Sequence, residues 1–521
     1  MRRRAFISGA ASLLTATWTG GCAHRLAQPT AAMSPFTLGV ASGCPTPDGF
    51  VLWTRLATSA VAPDGTGGMS GPVSVGYEIG TDPQLRTVVR TGRVTAGSRF
   101  GHSVHLEISG LRSSQPYWYR FTALGHESTI GRARTTPLPG ANLSQLKFVL
   151  ASCSHWELGW FSAYRHMAEE APDLVLFLGD YIYEYSHRGE RAAGLVRRHE
   201  REGDAISLAD YRNRYALYRT DPDLQALHAA APCLATWDDH EVHNDYANRW
   251  SQDPTVSEAS FLRRRAAAYQ AFYEHMPLRR SSRPHGGSMR IYGQTTYGDL
   301  ASFNVLDGRQ YRTPQPCQTP NSRRGHVETC PDLTDPTRTM LGETQEAWLQ
   351  EQFRRAQSRW TIMPQDLVVA RLEQTAPDGG LGHFTDGWDG YQANRARMLD
   401  GLAASGAANP VFLSGDIQSS WANDLKADFR DPGSATIASE FVTPAITANS
   451  PPAAPFVGIQ TRNPHVRFVN LRAQGYVSVD LSQSRMETTF KAISGRRDKM
   501  AGLSTLARFV VEDGRPGVTS A

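Results

Sequence analysis

Asp173-Leu174-Val175-Leu176-Phe177-Leu178-Gly179-Asp180-Tyr181-Ile182-Tyr183-Glu184 runs from five apolar residues directly into a glycine, an acid and two tyrosines. An apolar run of that length without polar alternation is the pattern of a strand buried on both faces, as in a parallel sheet. Gly179 lets the backbone turn sharply where the strand ends, which aims the Asp180 carboxylate inward. In open α/β sheets, ligands bind in the crevice at the carboxyl ends of strands. Asp180 therefore stands where chemistry is expected.

Working outward, three more apolar runs end in polar clusters. Residues 147–152 lead into Ser152-Cys153-Ser154-His155, and residues 233–237 into Asp238-Asp239-His240-Glu241-Val242-His243-Asn244-Asp245. Residues 410–415 lead into Gly415-Asp416-Ile417-Gln418-Ser419-Ser420-Trp421. Residues 300–307 and 360–364 repeat the strand signal, while 161–171, 208–231, 258–275 and 342–357 have helical spacing. This alternation predicts an α/β domain over residues 145–512. Four strand-end clusters can converge on one site although hundreds of residues separate them.

Upstream the texture differs. Residues 50–55, 73–77, 103–107 and 117–121 are short β-type runs punctuated by Gly, Pro and Asp, the spacing of a β-sandwich. Leu111 followed by Gln115-Pro116-Tyr117 resembles the tyrosine corner of fibronectin-type and immunoglobulin-type sandwiches. A small sandwich over residues 34–138 is expected, with Thr135-Thr136-Pro137-Leu138-Pro139-Gly140 as linker.

The 521 residues carry a net charge of only +4, which gives no case for nucleic-acid binding. Beyond the N-terminus no apolar run reaches the ~18 residues that a membrane span requires. Arg3-Arg4-Ala5-Phe6-Ile7 precedes a weakly apolar stretch, the layout of a secretory signal of the twin-arginine type over residues 1–33. Export by the twin-arginine machinery to the periplasm or the extracellular space is the expectation. Thr19-Gly20-Gly21-Cys22 resembles a lipoprotein cleavage box, with Thr19 where a larger apolar residue is usual, so a lipid anchor at Cys22 stays open. Of the remaining cysteines, Cys317 and Cys330 share a Pro/Asn/Arg-rich loop and are a plausible bridge. Cys44 and Cys233 read as small buried apolar residues.

The residue types at the strand ends state a job. Several carboxylates in one crevice repel one another unless a cation sits among them. Oxygen ligands suit hard cations, whereas a thiolate and a phenolate favour a transition metal. Two cations about 3.5–4 Å apart can generate a hydroxide and clamp the oxygens of a phosphoryl displacement. Asp180 is the natural bridging ligand. Cys153 with His155 suggests a thiol nucleophile as well, but two residues apart on one strand end are poorly placed to share a proton.

At these residues the chain resembles the PhoD-like phosphatases (alkaline phosphatase D) of the metallophosphoesterase superfamily. The resemblance begins at Leu38-Gly39-Val40-Ala41-Ser42-Gly43 and Leu52-Trp53-Thr54-Arg55. It continues through Ala151-Ser152-Cys153, Gly179-Asp180 with Ile182-Tyr183-Glu184, residues 238–242, Leu306-Asp307 and residues 309–312. It ends with Trp388-Asp389-Gly390-Tyr391, Gly415-Asp416 and Ser420-Trp421. It implies a four-layer αββα catalytic domain behind the small sandwich, and a metal-dependent alkaline phosphatase acting on phosphomonoesters and phosphodiesters. It further implies ferric iron, Fe(III), on Cys153, Asp180 and Tyr183, with calcium, Ca(II), nearby and Asp180 between them. Asp239 and Asp416 would be further ligands, His240 the proton donor to the leaving group, and Arg309, Asp389 and Tyr391 pocket residues, Arg309 with a catalytic part.

One position departs from the family pattern. Where a histidine iron ligand is usual, two residues after Asp416, this chain has Gln418. An amide oxygen binds hard cations but substitutes poorly for imidazole on iron, so iron is the less certain of the two metals. Two further readings stay open: a phospholipase or phosphodiesterase of the same fold, and a degenerate cation-binding surface protein. Gln418 favours the last, and Asp180, Tyr183, Asp239 and Asp416 oppose it.

Overall fold

The computed structural model describes residues 33–189, 193–319, 325–376 and 379–521. The expected signal segment and Cys22 lie outside these residues. The chain is mixed α/β with several sheets, the largest of ten and seven strands.

The quoted stretch forms the strand Leu174–Leu178, every residue buried. It pairs in parallel with Gln145–Ala151 on one side and Cys233–Thr236 on the other, so Cys153, Asp180 and Asp238-Asp239 emerge side by side. In the seven-stranded sheet Ala301–Val305, Trp360–Pro364, Pro410–Ser414 and Thr436–Val442 also run parallel. A bridge between Ser152 and Ala445 joins the ends of the two sheets and brings Asp416 to Cys153.

Three apolar clusters hold these elements. One joins the two sheets through Phe148, Leu150, Leu176, Phe303, Ile362, Val411 and Phe441. A second packs the helices Ser162–Glu169, Leu208–Arg219, Pro222–Ala230 and Glu258–His275 on the other face of the ten-stranded sheet. A third packs Gly342–Arg355 and Gln392–Ser405 against the seven-stranded sheet. The expected single helix over 208–231 is two helices. Proline inside a helix costs about 3 kcal/mol, so the chain breaks at Asp221, whose carboxylate accepts the Asp223 and Leu224 N–H groups at 3.0 and 3.2 Å, and Pro222 opens the next helix.

At the N-terminal end, Val40–Thr46, Gly49–Arg55 and Ser103–Ile108 extend the ten-stranded sheet through a parallel contact of Gly43 with Cys233. Val73–Gly80, Val88–Ala96 and Pro116–Ala123 form a separate sheet, and Phe50, Leu52, Val75, Ile79, Tyr119 and Phe121 fill the space between. The Tyr117 hydroxyl accepts the Arg112 N–H at 3.0 Å, the tyrosine-corner contact. Cys317 and Cys330 are bonded to each other. Cys233 is buried, while Cys44 is half-buried at a positive-φ turn.

Candidate metal centre and cleft

The strand ends turn by the same device. Cys153, Asp180 and Asp416 all adopt left-handed backbone, with φ of 59°, 53° and 62°. For residues with a Cβ this costs roughly 1–2 kcal/mol each, strain that concentrates at functional sites. Gly179 precedes Asp180 with φ of 92°, and a Cβ there would come within 2.3 Å of the Asp238 side chain. Glu241 clamps two of the turns. Its buried carboxylate accepts N–H groups from Asp180 (3.1 Å), Tyr181 (2.6 Å) and Asp238 (2.8 Å).

Two groups of potential ligands meet in this space: Asp180, Asp239 and His240, and Asp238, Asp239 and Asp416. Within each group the ligand atoms lie within 4.8 Å of one another, and Asp239 belongs to both. Burial, against the pull of His240 and with the push of Asp239, holds Asp180 well above the usual carboxylate range. Burial likewise raises Asp238 and lifts Asp416 to about 8, each opposed by Arg309. Asp239 goes the other way: burial is overcome by His240 and Arg309, which keep it ionised. One Asp180 oxygen, Oδ1, is buried without a hydrogen-bond partner. Acids that repel their own ionisation, with an unused oxygen among them, fit a cation site.

Beside it lie softer donors. The Tyr183 hydroxyl donates to Asp180 Oδ2 at 2.8 Å, and the Gln418 amide lies 3.3 Å from that hydroxyl. Cys153 is fully buried with Sγ 3.1 Å from Ser152 Oγ. Burial and the neighbouring Asp180 raise both the thiol and the phenol well above their ordinary values, so a cation would be needed to ionise them. A thiol, a phenol and a carboxylate together fit a transition metal such as iron.

His240 follows Asp239 on the cleft wall. Its Nδ1 lies 2.6 Å from Glu184 Oε2, leaving Nε2 away from that contact. Burial disfavours its charged form, but Asp239, Glu184 and Asp180 outweigh that and raise its pKa well above the ordinary value. The cleft measures about 500 Å³. Asp239, His240, Asn244, Asp245, Asp416 and Gln418 line its polar end, and no lysine or arginine is among its lining residues that the structure describes. Leu372, Trp388, Ile417, Pro452, Pro455 and Phe456 are among those lining an apolar wall.

Of the other expected pocket residues, Asp389 lies on the cleft wall but is held by Arg395 at 2.6 Å and the Leu372 N–H at 2.7 Å. Tyr391 is buried in the core, its hydroxyl donating to the Thr313 carbonyl. Arg309 is wholly buried behind the ligands rather than on the cleft wall. Its Nε donates to Asp238 at 2.5 Å and its Nη1 to Asp386 at 2.9 Å, and Nη2 lies 3.9 Å from both Asp239 and Asp416. Glu241 and Asp386 were not singled out from sequence. Glu241 stands inside the 238–245 cluster, whereas nothing but an acid before Gly387-Trp388 marks Asp386.

Known proteins resemble this chain in sequence and in fold. The PhoD-like phosphatase family matches residues 148–490, and its N-terminal domain matches residues 21–137. Alkaline phosphatase D of Bacillus subtilis (strain 168) is 41% identical over 527 residues, covering 99% of this chain and 88% of that protein. The solved structure of PhoD superposes with a TM-score of 0.89 at 40% identity, covering 95% of this chain and 93% of the other.

Proposed function

We propose, for a chain that belongs to the PhoD-like phosphatase family and is a phosphoric ester hydrolase of the alkaline phosphatase D type, that hydrolysis takes place where the four strand-end turns meet. The observation that carries this is the pair of ligand groups sharing Asp239. Asp180, Asp239 and Asp416 would hold calcium, and Cys153, Asp180 and Tyr183 ferric iron, with the Gln418 amide at the edge. Cations there would neutralise charge on the phosphoryl oxygens and make a water more acidic.

The chain's own residues do the rest. The Glu241 clamp and the buried Arg309 fix the carboxylates before substrate arrives. Glu184 holds the His240 ring so that Nε2 can give its proton to the leaving alcohol. With no lysine or arginine among the described residues of its wall, the cleft leaves anion binding to His240 and the metals. That favours substrates of low charge, and the apolar wall suits an apolar ester group. Phosphodiesters are therefore taken alongside phosphomonoesters.

The order helices, sheet, sheet, helices supports the four-layer arrangement for residues 145–512. The packed pair of N-terminal sheets supports a sandwich over 34–138 that shares one sheet with the catalytic part. Arg3-Arg4 supports export by the twin-arginine machinery, with Cys22 as the lipid-anchor candidate. No described helix is long and apolar enough to cross a membrane.

Turnover of 4-nitrophenyl phosphate and bis(4-nitrophenyl) phosphate by wild type and Asp239→Asn tests the site. Loss of both activities in the variant, with a normal melting temperature, is expected. Undiminished turnover would reject the proposed centre.

A further inference from the structure

A second cluster of metal-type ligands lies on the far side of the Tyr183 ring and shares no residue with the first. His155, Glu157 and His187 each present a ligand atom within 4.8 Å of the others. His199 joins them, its Nδ1 3.4 Å from Glu157 Oε1, while His187 Nδ1 lies 2.9 Å from Glu157 Oε2. Ligands around a tetrahedral ion with bonds near 2.0–2.1 Å stand roughly 3.3 Å apart, and these separations bracket that value.

The side chains are enclosed. His155, Glu157 and His199 are 1%, 2% and 5% exposed, whereas His187 is half-buried at the edge of a second cleft. Two ring nitrogens, Nε2 of His155 and Nε2 of His199, are buried with no hydrogen-bond partner, and His199 Nδ1 has only its 3.4 Å approach to Glu157. A buried polar atom left unpaired is costly, so two in one cluster are a deficit that a ligand would remove. Glu157 is also oriented as a ligand's carboxylate is, accepting the His187 N–H at 2.8 Å.

We propose that His155, Glu157 and His187, with His199 alongside, form a second cation site for a borderline divalent ion of the zinc type. Imidazoles with one carboxylate suit zinc over calcium or magnesium. His187 stands at the cleft lined by Leu158, Gly194 and Asn449, which gives the ion a way in. Bound there, it ties the turn after Cys153 to the segment carrying His187 and His199, and so braces the wall behind Tyr183. It takes no part in phosphate chemistry.

The test is zinc retained after equilibration and gel filtration, measured by elemental analysis in wild type, His187→Gln, His199→Phe and Asp239→Asn. Phenylalanine keeps the stacking of position 199 on Tyr218, and glutamine at the half-buried position 187 leaves the packing in place. Wild type and Asp239→Asn should each retain one ion that both histidine variants lose. The histidine variants should keep their iron and calcium content. Equal zinc in all four proteins, or zinc lost only in Asp239→Asn, would overturn the proposal.

Discussion

His240 and Glu184 form a buried pair, Nδ1 to Oε2 at 2.6 Å, while the other Glu184 oxygen accepts the Asn244 N–H at 2.8 Å. The pair fixes the imidazole's orientation and favours its protonated form. Its worth should appear where leaving-group protonation limits the rate.

Glu184→Gln should therefore slow esters of poorly acidic alcohols by about 10²-fold, with a much smaller effect on nitrophenyl esters, whose leaving group needs little help. His240→Ala should show the same pattern more strongly. Steady-state rates across a leaving-group series check this. Equal losses on every ester would remove His240 from the role of proton donor.

The same pair gives stability a pH window. His240 is raised in the folded chain, so its share is complete below the unfolded value of about 6.5 and is lost as pH rises through the folded one. Glu184 is held down to about 2, chiefly by His240 against its burial. Its share is complete above the unfolded value of about 4.3 and is lost as pH falls toward 2. In metal-stripped protein, the gap in melting temperature between wild type and Glu184→Gln should be widest from about pH 4.5 to 6.5. A gap independent of pH would contradict the pairing.

In the proposed centre, Gln418 would set the hold on iron. If Cys153 and Tyr183 bind ferric iron, the protein is coloured, and Tyr183→Phe shifts or removes the visible band. Gln418→His replaces an amide with a better iron ligand and should slow the loss of iron to a chelator. Absorption spectra and residual iron after timed chelation decide this. A colourless, iron-free protein with full activity on calcium would defeat the iron assignment and leave the carboxylate site standing.

In the proposed centre, Arg309 would act through the carboxylates it holds. Removing a buried ion-pair partner costs about 3–5 kcal/mol, and Arg309→Met strips one from Asp238 and Asp386 together. The variant should unfold at lower denaturant and need more metal for half-maximal activity, while KM at saturating metal changes less than about threefold, since no contact with substrate is lost. A large rise in KM with unchanged metal dependence would put Arg309 at the phosphate.

What could be read from sequence follows from what local pattern encodes. Asp180, Asp239 and Asp416 are legible because each follows a buried strand; one parallel sheet brings Asp180 and Asp239 together, and the Ser152–Ala445 bridge between the two sheets brings Asp416 to them. The direction of a side chain is not written that way. Leu306-Asp307 marks where Arg309 lies but not that its guanidinium turns inward to Asp238. Pro222 broke a helix that periodicity alone extended. The strands Gly475–Ser482, Arg485–Ile493, Leu503–Glu512 and Arg515–Ser520, which lengthen the ten-stranded sheet, were not singled out, because no polar cluster at a strand end marks them. The sandwich's sharing of a sheet with the catalytic part depends on one contact, Gly43 with Cys233, that links residues 190 positions apart.

In the proposed centre, Asp180 would serve more than one cation. Metal content and turnover of Asp180→Ala, measured on the same folded preparation, test it most directly. Iron and calcium should both fall, and turnover should fall with them by at least about 10³-fold. Full activity at wild-type metal content would contradict the account.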